Sequence, residues 1–322
     1  MTENPVWQPS ASQAVLKSRA QQLAFVRGFF AERRVLEVET PVLAQHGVTD
    51  VNLDGVFADV SAMGRRGGWL QTSPEYHMKR LLAAGSGSIY QISKVFRNGE
   101  CGRRHNPEFS LLEWYRVGFD DNALMAEVSD LVCGWLGCPP PRLRSYREAM
   151  KVWAQLDPFE ITDRDLARRC EQWLAPGQIA GLGRDGCLDL VMSFAVEPHL
   201  GQDVPEFITG YPASQAALAR VSEVDGHDMA HRFELYINGL ELCNGYWELA
   251  DAGEQRQRFE ADNQLRRRAG KPEMPVDDAF LAAMAAGLPD CAGVALGLDR
   301  LLMLKVGTKD ISDVLAFPFA RA

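Results

Sequence analysis

The chain is short of the features that would send it out of a cell or into a membrane. Its seven cysteines are odd in number and include no C-x-x-C pair, so they read as reduced thiols and not as a disulfide framework. No apolar run approaches the eighteen or so residues that a membrane span requires. The opening "MTENPVWQPSASQ" has neither a basic n-region nor an apolar h-region, so a cytoplasmic location is expected. Basic residues are outnumbered, 34 Lys and Arg against 43 Asp and Glu, for a net charge of −9. That balance disfavours a broad nucleic-acid surface, and any phosphate must be met locally. Low-complexity stretches, internal repeats and an obvious interdomain linker are all missing. What remains of the 322 residues, 46% hydrophobic and 24% charged, is the composition of a globular protein with an ample core.

Against that acidic background the stretch "VFRNGECGRRHNPEFSLLEWYR" (95–116) stands out. It gathers Arg97, Arg103, Arg104 and His105 into a glycine-containing loop between strand-like runs at 88–96 and 109–117. Cations on a loop held between strands suit a compact anion, because binding groups concentrate on loops of a rigid scaffold. A solvated hairpin tip is the bland alternative. Upstream, residues 12–34 have helical periodicity, with Leu16, Leu23, Val26 and Phe30 on one face and Ser12 placed to cap. "VLEVETPVL" (35–43) reads as a strand that Pro41 confines to an edge or an end. "TSPEYHMKRLLAAG" (72–85) has a full set of helix signals: Ser73 to cap, Pro74 in the first turn, Glu75 at the positive end and Gly85 to stop it. Residues 122–136 and 147–200 are mostly helical in pattern.

The segment "HRFELYINGLELCNGYWEL" (231–249) contains Asn238-Gly239 between alternating runs, a two-residue hairpin signal. That register sets Tyr236 opposite Glu241 and puts Glu234 on the same face, so the two carboxylates are diagonal neighbours about 7–8 Å apart. Adjacent acids repel unless a cation lies between them; a solvated acidic face is the alternative. Farther on, "GVALGLDRLLMLKVG" (293–307) reads as a buried strand, a glycine turn and a helix ending at Gly307. Gly297 leaves a flat ligand room at the backbone, and Arg300 in the first helical turn can lie over it.

Three other patterns carry little. "GLGRDG" (181–186) matches G-x-G-x-x-G but follows no convincing strand. "HDMAH" (227–231) has the histidine spacing of a zinc helix, with Asp in place of Glu and a hairpin starting almost at once. "LRRRAGK" (265–271) ends a helical pattern, where Arg meets the dipole favourably, so a solvated helix end is preferred over a nucleic-acid contact.

Taken in order, three segments resemble the three motifs of class II aminoacyl-tRNA synthetases. The helix and strand ending in "EVETPVL" resemble motif 1 (12–43), "FRNGECGRRHNPEFSLLEWY" motif 2 (95–117), and "GVALGLDRLLML" motif 3 (293–307). "TSPEYHMKRL", "FITGYPASQAALAR" and "ELCNGYWEL" are similar to the lysyl branch of that class. Lysyl synthetases carry an anticodon-binding barrel ahead of motif 1, and here motif 1 begins almost at once. A catalytic core of this length most resembles the elongation factor P lysine ligases. The resemblance implies an α+β fold, an antiparallel sheet flanked by helices, in a single catalytic domain (1–322) with a helical middle region at 122–200. It implies a homodimer through motif 1, ATP as co-substrate with Mg²⁺, and (R)-β-lysine or lysine as the group attached to elongation factor P. A role in charging tRNA is not implied.

The resemblance also assigns residues. Arg97 meets the α-phosphate and the substrate carboxylate, and Arg300 covers the adenine; these two are the expected catalytic groups. Asn98, Gly99, Glu100, Arg104, His105, Asn106, Glu241, Leu242 and Gly297 complete the ATP site, and Glu234 with Glu241 are hard oxygen ligands for Mg²⁺. The substrate site is Ser73, Pro74, Glu75, Glu113, Tyr115, Asn244, Glu248 and Ala295, with Glu248 and Tyr115 reading the side-chain amine and Glu113 and Glu75 placed for the other amino group. Strict alternation puts Glu248 on the face opposite Glu241, so the Asn244-Gly245 step is expected to break or bulge the strand. Motif 2 usually has its glutamate where Gly99 stands; here Glu100 follows one residue later. Two other readings compete: a freestanding enzyme that charges tRNA or releases lysyl-adenylate, and a silent paralogue that senses lysine or nucleotide.

Ser73 and Ala295 stand where lysyl synthetases usually have Ala and Gly, so they are expected to select the position of the amino group. Replacing them, Ser73→Ala with Ala295→Gly, is predicted to shift preference toward α-lysine by about tenfold, at 1.4 kcal/mol per decade. The ratio of kcat/KM for the two lysines in pyrophosphate–ATP exchange measures this, and an unchanged ratio moves selection elsewhere in the pocket.

Overall fold

The computed structural model describes residues 7–62, 65–179 and 181–322. Ser12 caps α1 (Gln13–Glu32) as its position predicts, its hydroxyl accepting the Val15 N–H at 3.3 Å. Val26 and Phe30 are buried as the periodicity requires, whereas Leu16 lies exposed near the start of the helix. The expected strand at 35–43 reduces to two short pieces, β1 (Leu36–Glu37) and β2 (Leu43–Ala44), with Thr40 and Pro41 between them outside any ladder. Proline lacks the N–H a ladder needs. β3 (Val56–Ala62) and β4 (Arg65–Leu70) join β2 in a small sheet of order β2-β4-β3.

The main sheet is built from β5 (Ile89–Phe96), β6 (Glu108–Val117), β7 (Arg142–Ser145), β8 (Glu206–Pro212), β9 (Val221–Val224), β10 (His227–Ile237), β11 (Leu240–Trp247) and β12 (Cys291–Gly297) with β1. Its order is β1-β5-β6-β12-β11-β10-β8-β7, with β9 on β10. It is antiparallel except for the edge pairs β1·β5 and β7·β8. The helices are α2 (Glu75–Ala83), α3 (Asp121–Leu136), α4 (Tyr146–Ala149), α5 (Asp163–Cys170), α6 (Pro176–Ile179), α7 (Gly183–Val191), α8 (Ala252–Arg268), α9 (Asp278–Gly287) and α10 (Leu298–Val306). None among the described residues is long and apolar enough to cross a membrane.

Alternation sorts the central strands' side chains to two faces. Leu112, Trp114, Val294, Leu296, Phe233 and Leu235 point down into a core shared with Phe30 of α1, Leu124 and Leu131 of α3, and Leu301 of α10. Burying each such side chain contributes about 1.5–3 kcal/mol. The opposite face carries Glu113, Tyr115, Ala295, Asn244, Arg232 and Glu234, all lining one cavity. At the β8–β10 end a second core, Tyr146, Leu188 and Val191 with Ile208, Tyr211 and Tyr236, packs the helical middle region against the sheet and walls that cavity. At the other end α2 packs on α9 through the stacked rings of Tyr76 and Phe280, 4.5 Å apart.

The β10–β11 hairpin turns at Asn238-Gly239, both with positive φ, and pairs Tyr236 with Glu241 as expected. The break in alternation, however, is not at Asn244-Gly245. The register shifts between Leu235 and Tyr236, so that Leu235 faces Cys243, Glu234 faces Asn244, and Leu242 is the extra residue. Leu242 and Cys243 both join the lower core. Gly245 has a different job: it pairs with Phe233, whose ring lies 2.4 Å from where a Cβ would stand.

The basic end of α8 is only partly solvated: Arg267 and Arg268 are exposed as expected, but Arg266 and Lys271 turn inward. Arg266 is buried and donates to the carbonyls of Pro272 and Asp50 at 2.8 Å each, and Lys271 donates to the Val51 carbonyl at 2.8 Å and Asp54 at 2.9 Å. These cations pin the loop 50–54 beside the cavity, a use of cationic side chains that helix periodicity does not reveal. "HDMAH" lies on β10, and "GLGRDG" runs into α7 with no strand before it.

Gly293 of β12 faces Tyr115 of β6, and a Cβ there would meet the ring at 2.3 Å and Glu248 at 2.5 Å. Gly293→Ala is predicted to cost about 1–3 kcal/mol in urea unfolding, as overpacking does. Unchanged stability would mean the Tyr115 ring can swing clear.

Candidate active site

The cavity above the sheet has a volume of about 730 Å³. One lateral row of paired residues, Glu113–Ala295–Asn244–Glu234, crosses its floor from β6 to β10. At roughly 4.8 Å per strand this row is about 14 Å long.

The β6 end is a carboxylate pocket. α2 starts just after Ser73, which does not cap with Pro74 as its first-turn residue; Pro74 itself is the cap position, without a side-chain bond. The Ser73 hydroxyl instead donates to Glu113 at 2.7 Å while accepting the Glu75 N–H at 3.1 Å. Tyr115 donates to the other Glu113 oxygen at 2.7 Å. Lys79, one helical turn after Glu75 and only 1% exposed, sits 2.6 Å from Glu75 and 2.6 Å from Glu248. Its two anionic neighbours outweigh burial and hold the ammonium well above the usual lysine range. Lys79 engages Glu248 through Oε2, and Glu248 Oε1 has no partner and stays available to a donor. Burial, augmented by Glu75, pushes Glu113 up to about 8, and burial, opposed by Lys79, pushes Glu248 up to about 7.

The opposite pole of the cavity is cationic. Arg97 lies over the Phe109 ring, 3.7 Å from Glu100, and its buried Nε has no partner. Arg300 donates to the Glu241 carbonyl at 2.8 Å and contacts its carboxylate at 3.5 Å, while His105 lies 2.8 Å from Arg300. Burial and the neighbouring Arg300 hold His105 below the usual histidine value. Arg104 donates to the Gly239 carbonyl at 2.9 Å, tying the loop to the tip of the β10–β11 hairpin. Asn106 spends its amide on the Glu108 carbonyl and the Phe319 N–H, so it supports the loop and the chain's end. Asn98 is exposed, with its N–H on the Asp54 carbonyl at 2.7 Å. Gly99 has φ +81, which explains why the acid stands at Glu100: a left-handed backbone costs an L-residue roughly 1–2 kcal/mol. Gly297 and Leu242 both line the cavity, although the Leu242 side chain belongs to the lower core.

Glu234, Glu241 and Asn244 lie between the poles. Glu234 accepts from Tyr211 and Tyr236 at 2.6 Å each and pairs with Arg232, so of a carboxylate's four or so lone pairs one stays free. Burial and the charge of Glu234 raise Glu241. Asn244 accepts from Arg232 at 3.2 Å and keeps its own N–H donors for the cavity. No group of three or more metal-binding side chains is gathered among the described residues. Mg²⁺ commonly takes only one or two carboxylates and fills the rest of its shell with phosphates and water. Glu241 with the remaining lone pair of Glu234 fits that description.

The sequence reading missed Lys79, Arg232, Tyr211 and Tyr236. The i, i+4 spacing of Glu75 and Lys79 was a usable signal, as was the period-2 spacing of Arg232, Glu234 and Tyr236 on one strand; Tyr211, on β8, becomes visible only with the pairing of β8 and β10.

A cavity set on a large antiparallel sheet, with cations from a strand–loop–strand and from the helix after the last strand, is the architecture of a class II synthetase. A family model described as tRNA synthetases class II (D, K and N) matches residues 7–321, and the chain belongs to this family. It is therefore an ATP-dependent ligase. Among its relatives, a protein of Proteus mirabilis (strain HI4320) is 50% identical and one of Pectobacterium carotovorum subsp. carotovorum (strain PC1) 49%, each over the whole of both chains. Both are named elongation factor P–(R)-β-lysine ligase, as is a 49% identical protein of Salmonella gallinarum.

Raised carboxylates in the pocket have a sign that can be tested. A folded value above the unfolded one means the folded state holds the proton, so stability without substrate falls as pH rises from 4.5 toward about 8. An ammonium needs the ionised form, so lysine binding at pH 7 is predicted to release roughly one proton. Calorimetry in buffers of different ionisation enthalpy reads this directly, and a buffer-independent heat would show the carboxylates to be already ionised.

Proposed function

We propose that this protein activates a lysine, preferentially (R)-β-lysine, as an aminoacyl-adenylate and transfers it to a lysine side chain of elongation factor P. The observation that carries the reading is a single cavity with a Lys79-anchored carboxylate pocket at one end and Arg97, His105 and Arg300 at the other. A substrate with two ammonium groups and one carboxylate has the complementary polarity. Three carboxylates, Glu75, Glu113 and Glu248, face one resident cation, Lys79, so two further positive charges balance the pocket. Glu248 and Tyr115 take the side-chain ammonium, and Glu113 with Glu75 the other. Ser73 and Ala295 border that second amine. Asn244 and Arg97 orient the carboxylate toward the α-phosphate. Arg300 covers the adenine beside Gly297, and Arg104 with His105 meets the outer phosphates. Glu241 and Glu234 would hold Mg²⁺, which neutralises phosphate charge when bound.

In the first step the carboxylate oxygen bonds to the α-phosphorus and pyrophosphate leaves with the electron pair. Positioning and charge neutralisation supply the acceleration, with no covalent enzyme intermediate. In the second, the acceptor amine bonds to the acyl carbon, AMP leaves, and the nitrogen's surplus protons pass to water. Agreement over the whole length of ligases of this name supports a single catalytic unit. Exposed Leu36, Val42 and Leu43 in the motif 1 segment support a homodimer.

Lysine-dependent pyrophosphate–ATP exchange, followed by mass measurement of elongation factor P and of tRNA incubated with the enzyme, tests the reading. The expected result is one lysyl addition on the protein and none on tRNA; the reverse pattern overturns it. Glu248→Gln is predicted to lower lysine-dependent exchange by more than a hundredfold while ATP affinity measured by calorimetry changes little, because a buried ammonium without its anion costs several kcal/mol. Normal exchange in this variant would remove Glu248 from the site.

A further inference from the structure

The same cavity is lined, beyond Glu234, by Tyr146, Asp185, Asp189 and Gln215, to which the function proposed above gives no part in holding ATP or the activated lysine. Tyr146 is 1% exposed, its ring packs against Tyr211, and its hydroxyl has no partner although it lines the cavity. The Oε1 of Gln215, a residue 8% exposed, is likewise unpartnered, while its amide donates to Asp189 at 2.7 Å. Asp189 is exposed and lines the same cavity; Asp185, partly exposed, accepts from Ser214 at 2.7 Å. At the inner end Arg232 donates to the Gln215 carbonyl at 2.8 Å and pairs with Glu234, next to Asn244.

Two buried polar atoms without partners are costly unless a ligand or water meets them. Both are acceptors or can act as one, and the mouth outside them is anionic. The complementary ligand is a donor-rich cation on a thin apolar stem, for which the Tyr146 ring and Met192 supply an apolar wall. The substrate's own amines cannot be that ligand: the Glu113 pocket lies about three strand spacings, some 14 Å, from β10, beyond the reach of a four-carbon stem.

We propose, resting on the function given above, that Asp185, Asp189, Tyr146 and Gln215 form the lane by which the acceptor lysine of the protein substrate enters. The carboxylates at the mouth draw in the ammonium, and Tyr146 and Gln215 accept its hydrogen bonds along the way. At the inner end the charge of Arg232 is balanced by Glu234, and the amine gives one proton to water through the mouth before its lone pair bonds to the acyl carbon. The acyl–phosphate C–O bond then breaks, AMP keeps the electron pair, and the second proton leaves the nitrogen to water.

The test separates the half-reactions. Asp185→Asn with Asp189→Asn, and separately Tyr146→Phe, are made in the full chain. Pyrophosphate–ATP exchange should stay within about twofold of the parent, and single-turnover transfer from preformed adenylate to elongation factor P should slow at least tenfold in the double variant. Hydroxylamine, uncharged at pH 7, should capture the adenylate at the parental rate. Equal loss in exchange, or equal loss with hydroxylamine, overturns the lane by showing that these groups act on the adenylate. Undiminished transfer to elongation factor P overturns it too. Should the parent form hydroxamate yet add nothing to elongation factor P, the function proposed above falls and the lane with it.

Discussion

One surplus residue in β11, Leu242, is the constraint on which the site depends. In an unbroken strand, Glu241 and Glu248 would point to opposite faces. The bulge sends Leu242 and Cys243 together into the lower core and returns Asn244, Tyr246 and Glu248 to the face that Glu241 already occupies. A bulge sacrifices one ladder position and adds local twist. Here the two core side chains offset that loss by burial, and three polar positions reach one cavity. Glu234 and Glu241, proposed for the nucleotide's metal, and Glu248, proposed for the amine, therefore belong to one surface.

Once those side chains share a face, the problem becomes charge. Glu75, Glu113 and Glu248 converge in one pocket where like charges repel and burial disfavours ionisation. Lys79 is the internal counterion, held at 2.6 Å from two of them. Ser73 and Tyr115 give Glu113 hydrogen bonds from both sides. The remaining imbalance is what the pocket offers to a dication, and the same burial that raises Glu113 and Glu248 makes that offer dependent on pH.

The cationic pole is fixed by different means. Arg104 is tied to the β10–β11 turn, His105 to Arg300, and Arg300 to Glu241, so motif 2, the hairpin and the helix after β12 are laced across sequence separations of more than 50 residues. Asn106 binds the C-terminal segment as well as its own strand. A loop that the sequence leaves open to being a solvated hairpin tip is thereby held in place, which is the preorganisation that electrostatic stabilisation requires.

Local order was determined by the sequence itself. The cap at Ser12, the turn at Asn238-Gly239, the stop at Gly307 and the alternation of β6 follow from residue chemistry within a few positions, and the structure keeps them. Specific motifs also identified the class of fold, because an Arg-rich loop between strands and a Gly-Leu-Asp-Arg turn have few other uses. Tertiary structure alone decided where alternation breaks: the extra residue is Leu242, while Gly245 stays paired with Phe233, whose ring fills the space a Cβ would take. It alone turned Arg266 and Lys271 inward onto the loop 50–54 and chose Lys79 as the counterion of Glu248, a partner 169 positions away. Contacts of that separation depend on which strands become neighbours and in what register, and a one-residue slip there reverses every side chain that follows.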